Sequence, residues 1–255
     1  MDLQHQLTPR LKRLRLSGIL ETLEVRNQQA IAEKWSYVEF LTRLAEDEVE
    51  RRDHKQLTLR LRRATVNTGK TLESFDFAFN PSINRQQVLD LATSLYVQQK
   101  RNVLVCGPTG VGKSHLAQAL GHEACRRGYD VLFTSAHKML LHLNGGRADG
   151  SYARRLNAYL KPELLILDDF GLKPILPPGP EDLYDVVNER YERGSILLSS
   201  NRTPAEWYEL FNDTLLASAA LDRLLHNAHT LFITGESYRA QGRRWPRKEG
   251  PTSAN

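Results

Sequence analysis

Apolar residues follow two different rhythms along this chain of 255 residues. Over residues 1–70 they recur at the spacing of one helix face. Leu3, Leu7, Leu11 and Leu14 form one such stripe, with Arg10, Lys12, Arg13 and Arg15 between them. Ser36-Tyr37-Val38-Glu39 is a capping-box sequence, suited to satisfying the free N–H groups at a helix start. It opens a second helical pattern through Phe40, Leu44, Leu57 and Leu61. Residues 71–83 break that period, and Phe75, Phe77 and Phe79 alternate in an aromatic connector. From 84 to 241 short apolar runs alternate with helical stretches. Strands are predicted at 102–106, 130–134, 164–168, 195–200 and 230–233, and helices most clearly at 85–99, 114–126 and 181–193. The alternation predicts an α/β domain, a five-stranded parallel sheet between helices, preceded by a small all-helical N-terminal domain. Residues 242–255, GRRWPRKEGPTSAN, read as a loose basic tail.

Composition narrows the class. Hydrophobic residues at 40% are enough for a core, and charged residues at 25% are ordinary for a soluble protein. Lys plus Arg number 35 against 30 Asp plus Glu, an excess that permits a polyanionic partner without requiring one. Residues 1–70 hold 14 Lys/Arg and 10 Asp/Glu, so most of the excess lies there. Cys106 and Cys125 form no CxxC pair and sit in predicted core elements, which favours reduced thiols and a cytoplasmic protein. The first residues lack the apolar run of a signal peptide, and no apolar stretch approaches the ~20 residues of a membrane span, so no membrane is expected.

The strand at 102–106 runs into Gly107-Pro108-Thr109-Gly110-Val111-Gly112-Lys113-Ser114-His115. The spacing is that of the phosphate-binding loop of nucleoside triphosphatases. Its glycines let backbone N–H groups face an anion, and the helix that follows adds the partial positive charge of its N-terminus. Lys113 would reach the β and γ phosphates of ATP, and Ser114 would ligate Mg2+. Leu164-Leu165-Ile166-Leu167-Asp168-Asp169 supplies the second half: an apolar strand ending in carboxylates. Asp168 is expected on the metal side and Asp169 as the base that orients the attacking water. Mg2+ relieves the repulsion between the two. Asn201, after Ile196-Leu197-Leu198-Ser199-Ser200, can hydrogen-bond the γ phosphate or the water.

With LESFDF, NVLVCGPTGVGKSHLAQALG, LLILDDFGL, LLSSNRTPAEW and LDRLLHNAHTLFITGESYR in hand, the chain resembles the IstB family through most of its length. These are AAA+ ATPase helpers of insertion-sequence transposases, related to the helicase loader DnaC. The resemblance implies a P-loop AAA+ core whose subunits assemble side by side, in a ring or helical homo-oligomer. It implies that Arg223 is the arginine finger acting on a neighbour's γ phosphate, and that Arg239 is the sensor-two arginine contacting phosphate within its own subunit. Many AAA+ enzymes carry Asp-Glu where this chain has Asp168-Asp169; the IstB/DnaC group commonly has Asp-Asp, and the shorter second carboxylate is expected to slow hydrolysis. The short stretch after Tyr238 argues against a full helical lid.

The resemblance also implies that a helical insertion, here about 137–161, faces duplex DNA. Lys138, Arg154 and Arg155 are the expected backbone contacts, with no base-reading motif, so binding should be sequence-independent and salt-sensitive. The expected partners are duplex DNA and a cognate IstA-like transposase, with ATP hydrolysis controlling assembly and release. The alternatives are a DnaC-type replicative helicase loader and an ATP-gated scaffold that hardly turns nucleotide over. Phe75 and Phe77 are candidates to line a base pocket, although aromatic packing is the expected role.

Overall fold

The computed structural model describes residues 3–211 and 213–241, and it divides into two compact units, Met1–Leu59 and Arg60–Asn255. The expected tail at 242–255 lies outside the described residues. Among the described residues no helix is long and apolar enough to cross a membrane.

The first unit contains α1 (Leu3–Arg13), α2 (Ser17–Glu33) and most of α3 (Tyr37–Ala64). Ser36 begins α3 as expected, accepting the Glu39 N–H at 3.2 Å. The leucine stripe is unevenly buried. Leu11 is buried, whereas Leu7 is 39% and Leu14 65% exposed. Leu14 lies beyond the end of α1, where Arg15 takes a positive φ of 58° and turns the chain. What joins α2 to α3 is a small residue and a buried carboxylate. A Cβ on Gly18 would come within 2.7 Å of the Glu48 Cα, so only glycine permits this approach. The Glu48 carboxylate accepts the Gly18 N–H at 2.6 Å, satisfying a free donor at the start of α2.

The unit boundary falls after Leu59, earlier than the expected 70. The end of α3 and the segment after it pack with the second unit: Thr65 Oγ donates to the Phe133 carbonyl, and the Asn67 N–H donates to Gln118 Oε1. The predicted helix at 85–99 is two, α4 (Arg85–Ala92) and α5 (Leu95–Gln98), separated by the left-handed Ser94 (φ 59°).

The remaining elements alternate as predicted: β1 (Val103–Cys106), α6 (Lys113–Arg126), β2 (Val131–Ser135), α7 (Ala136–Ala148), α8 (Tyr152–Leu160), β3 (Leu164–Phe170), α9 (Gly179–Arg190), β4 (Ser195–Ser200), α10 (Thr214–Leu225), β5 (His229–Phe232) and α11 (Tyr238–Gln241). A short 3-10 helix, Pro204–Leu210, follows β4. All five strands are parallel, in the order β2-β3-β4-β1-β5. Parallel neighbours need crossover helices, which cover both faces and explain why β1 and β4 are buried throughout. The free thiols Cys106 and Cys125 are buried, and burial pushes each up to about 11, which leaves them protonated and inert.

One irregularity matters for the site. β3 and β4 pair in step from Leu164↔Ser195 to Leu167↔Leu198, then slip, and Phe170 pairs with Ser200. Asp168 and Asp169 occupy the bulge, with Asp169 at φ 56°. Bulges of this kind re-aim side chains next to functional sites. Behind it, Trp207 is fully buried, its ring edge-on to Phe170 and its Nε1–H donating to Ser200 Oγ at 3.1 Å. Trp207→Ala should therefore cost about 3–5 kcal/mol in chemical denaturation, and Trp207→Phe distinctly less. Equal losses for the two would mean that ring packing is not what Trp207 contributes.

Candidate functional site

β1, β3 and β4 end side by side, and the loops leaving them line a cleft of about 510 Å³. The loop after β1 is anchored on both flanks. The Gly107 N–H donates to the Ser200 carbonyl at 3.1 Å, and the Tyr238 N–H donates to the Gly110 carbonyl at 3.0 Å. Gly107 has φ 154° and a Cβ there would collide with the Ile233 carbonyl oxygen; Gly110 has φ 90° and a Cβ would strike the Ser237 hydroxyl. Two of the motif's glycines are thus required by close approach as well as by conformation.

Lys113 opens α6 and is only 8% exposed. Its ammonium donates to the Pro108 carbonyl at 2.7 Å, closing the loop on itself. Burial lowers its pKa, and the Asp169 and Asp168 carboxylates oppose that shift. Asp168 is buried at the end of β3 and accepts a short hydrogen bond from the Ser199 hydroxyl. The same Ser199 oxygen accepts the Asp169 N–H at 3.2 Å. Asp169 faces the open side of the cleft; partial burial and the neighbouring Asp168 raise its pKa, while Lys113 and Arg239 pull it down. Asn201 follows β4 and is exposed into the same cleft, and Arg239 lines it from α11.

The structure therefore brings Thr109 through His115, Asp168, Asp169, Asn201 and Arg239 around one cleft. His115 is more constrained than the motif suggests. Its Nε2 lies 3.1 Å from the Thr71 carbonyl and 3.3 Å from Ser74 Oγ, with Phe75 edge-on, so the ring holds the connector against α6. Of the aromatics, Phe75 and Phe79 line the cleft; Phe77 is instead packed between Phe75 and the Arg85 guanidinium.

Ser114 and Asp168 are hard oxygen donors, a set that suits Mg2+. Among the described residues no group of three or more His, Cys, Asp or Glu is placed to hold a metal. Two donors fit Mg2+ only in its usual manner, shared with nucleotide phosphates and water.

Arg223 does not line this cleft. It sits on α10, donates to the Ala219 carbonyl at 2.8 Å, lies over the Tyr184 ring and faces a separate cavity of about 350 Å³. The expected insertion is a hairpin of α7 and α8, on which Lys138 and Arg154 are exposed with no ion pair among the described residues. Arg155 differs from these two in its contacts. Its guanidinium bonds Asp149 at 2.5 Å, the His142 carbonyl at 2.7 Å and Ser151 Oγ at 2.8 Å. Those contacts close the hairpin and leave little of the side chain for a ligand.

Sequence reasoning missed Ser199. The available signal was two consecutive serines in an otherwise apolar, buried strand, because buried hydroxyls are almost always hydrogen-bonded. It also missed Phe79, Asn80 and Tyr238 as cleft walls, which depend on distant segments meeting.

Comparison with known proteins bears on this geometry. The family described as IstB-like ATP binding protein matches residues 9–245. A protein of Mycobacterium tuberculosis, named as an ATP-binding protein in an insertion sequence, is 42% identical over 234 residues, spanning 91% of this chain and 93% of that one. Among solved structures, the replication initiator DnaA bound to AMPPCP and single-stranded DNA is similar, with a TM-score of 0.55, 25% identity and coverage of 68% of this chain and 52% of that one. The DnaC helicase loader gives a TM-score of 0.55 at 19% identity, covering 65% of this chain and 97% of that one, a likeness of fold.

Ser199→Ala should leave the fold intact and lower Mg-nucleotide affinity or turnover by about 10–100-fold, the usual cost of removing a partner that orients a ligand. Titration with a fluorescent nucleotide and a phosphate-release assay measure it; wild-type values in the variant would remove Ser199 from the site.

Proposed function

We propose, for a chain that belongs to the IstB-like ATP-binding protein family and carries its P-loop AAA+ fold, that it hydrolyses ATP to control its own assembly on duplex DNA and its engagement of a transposase. The observation that carries this is the single cleft in which the phosphate loop, the bulged Asp168–Asp169 pair and Asn201 meet.

In this proposal the N–H groups of the loop and the α6 N-terminus take the phosphates, and Lys113 exchanges the Pro108 carbonyl for a phosphate oxygen. Asp169 orients the attacking water, and Asn201 and Arg239 fix the terminal phosphate. Mg2+, held by Ser114 and Asp168 when nucleotide is bound, would neutralise charge on the phosphate oxygens. Arg223, remote from its own cleft, would serve the cleft of the next copy in a ring or helical assembly. Lys138 and Arg154 would contact DNA phosphates. The transposition context is supported by the insertion-sequence relative. A cytoplasmic location fits two buried, unpaired thiols.

Phosphate release measured with and without duplex DNA tests the proposal. Stimulation by DNA is expected, and a flat, negligible rate would leave a nucleotide-gated scaffold. Capture of a replicative helicase in place of the transposase of the same element would turn the assignment to a helicase loader. Arg223→Ala should bind nucleotide normally and hydrolyse it about 10³-fold more slowly or worse. Mixing it with Lys113→Ala copies should restore activity, since each supplies what the other lacks. In DNA titrations, Lys138→Gln with Arg154→Gln should flatten the log–log salt slope by about 2, at roughly 0.9 per phosphate contact; Arg155→Gln should act on stability instead.

The pH profile of kcat/KM reports the free enzyme. The raised Asp169 protonates at a higher pH than an ordinary aspartate, so the rate should fall earlier as pH drops and recover as it rises. The lowered Lys113 loses its charge earlier on the alkaline side, narrowing the active window from above. An acid limb at the ordinary aspartate range would count against Asp169 as the base.

A further inference from the structure

At the opposite end of the strands lies the second cavity, of about 350 Å³. Its walls are three turns: the one between α5 and β1, the one between α9 and β4, and the one between α10 and β5. Lys100, Arg101, Arg190 and Arg223 all line it, against one carboxylate, Glu192. None of the four cations forms an ion pair among the described residues.

Arg190 is the unusual member. It is 1% exposed, and its guanidinium donates to the carbonyls of Tyr159, Leu160, Pro162, Glu163 and Ser195, with no carboxylate among them. Its Nε–H has no hydrogen-bond partner among the described residues. A buried cation without a counter-charge is costly. Burial accordingly draws its pKa down to about 10, still far above neutrality, so the charge persists.

Helix C-termini offer the simplest account of such cations. The ends of α9 and α10 point here, each equivalent to about −0.5 charge, and the single turn of α5 adds little. Together they fall short of four full positive charges, even with Glu192 added, and a net positive potential remains. The walls are also fixed. Asn102 donates to the Leu224 carbonyl at 3.0 Å and accepts the Ile196 N–H at 2.9 Å, tying the three turns together. The Tyr191 hydroxyl and His226 Nδ1, paired at 3.0 Å, join two of these walls.

We propose that this cavity is an oxyanion-binding site, distinct from the phosphate loop, that takes a phosphate group on Lys100, Arg101 and Arg223 in the field of the buried Arg190. The phosphate has two possible sources: free in solution, or terminal on a nucleotide carried by another copy of the chain. The first source is independent of the proposed function; the second rests on it and enlarges the role of Arg223 to a cationic pocket. Several guanidinium and ammonium donors converging on one oxyanion give charge-assisted hydrogen bonds, the strong kind.

The test has two arms, both on the full chain. In the first, the Lys113→Ala protein, with its phosphate loop disabled, is titrated with inorganic phosphate at constant ionic strength by calorimetry. Saturable binding is expected, competed by sulfate and not by chloride, and weakened at least tenfold by Lys100→Gln with Arg101→Gln. Arg101→Glu alone replaces that pair if circular dichroism shows the pair misfolded. In the second arm, chains with an intact loop are mixed with a non-hydrolysable ATP analogue and their association is followed by sedimentation. Weaker association on substituting Lys100 and Arg101 assigns the phosphate to another copy's nucleotide. Phosphate binding lost with association unchanged assigns free phosphate. If the substitutions alter neither phosphate binding nor association, the proposal is overturned. ATP hydrolysis by the unsubstituted protein, measured in parallel, reports separately on the proposed function.

Discussion

The site depends on one hydroxyl between two strands. Ser199 lies fully buried inside β4, and its hydroxyl donates to Asp168 and accepts the N–H of Asp169. Both bonds form where β3 bulges against β4. A regular ladder would send successive side chains to opposite faces and bury one carboxylate in the core. The bulge instead leaves Asp168 fixed and buried and Asp169 facing the cleft. The different settings of the two acids, one buried and hydrogen-bonded and one open to the cleft, coincide with this local break in register.

The phosphate loop is constrained in the same way, from outside itself. Ser200 holds Gly107 from one flank, and the chain after β5 holds Gly110 from the other. Asn80 and Ser82 in turn bond Thr234, bringing the aromatic connector onto that segment and making Phe75 and Phe79 a wall of the cleft. In this state Lys113 is occupied by its own loop, through Pro108. Lys113 is thus held close to the loop, while Arg239, the other cation lining the cleft, is exposed.

Arginines in this chain divide by environment rather than by sequence. Arg190 is a buried brace across five carbonyls; Arg147 is bound to the fully buried Asp182 and stacked on Tyr152; Arg155 closes the α7–α8 hairpin. Arg154, one residue away from Arg155, is exposed without such partners. A run of basic residues identifies a charged region, but only packing decides which members still have donors to offer a ligand.

Sequence alone determined the parallel α/β alternation, because strands buried on both faces must be continuously apolar and must be joined by helices. It pointed to the phosphate-loop residues, Asp168, Asp169 and Asn201 as neighbours, and the fold brings them to one cleft. It also carried the family, through motifs spread along most of the chain. It did not determine that Ser94 breaks a helix, that the unit boundary precedes 70, or that His115 and Arg155 are committed to structural contacts. Those outcomes rest on contacts between residues far apart in sequence. The strand order that sets β3 beside β4, the bulge that aims the two carboxylates and the cationic cavity around Arg223 belong to the tertiary structure for the same reason: each is a relation between segments, and no single segment encodes it.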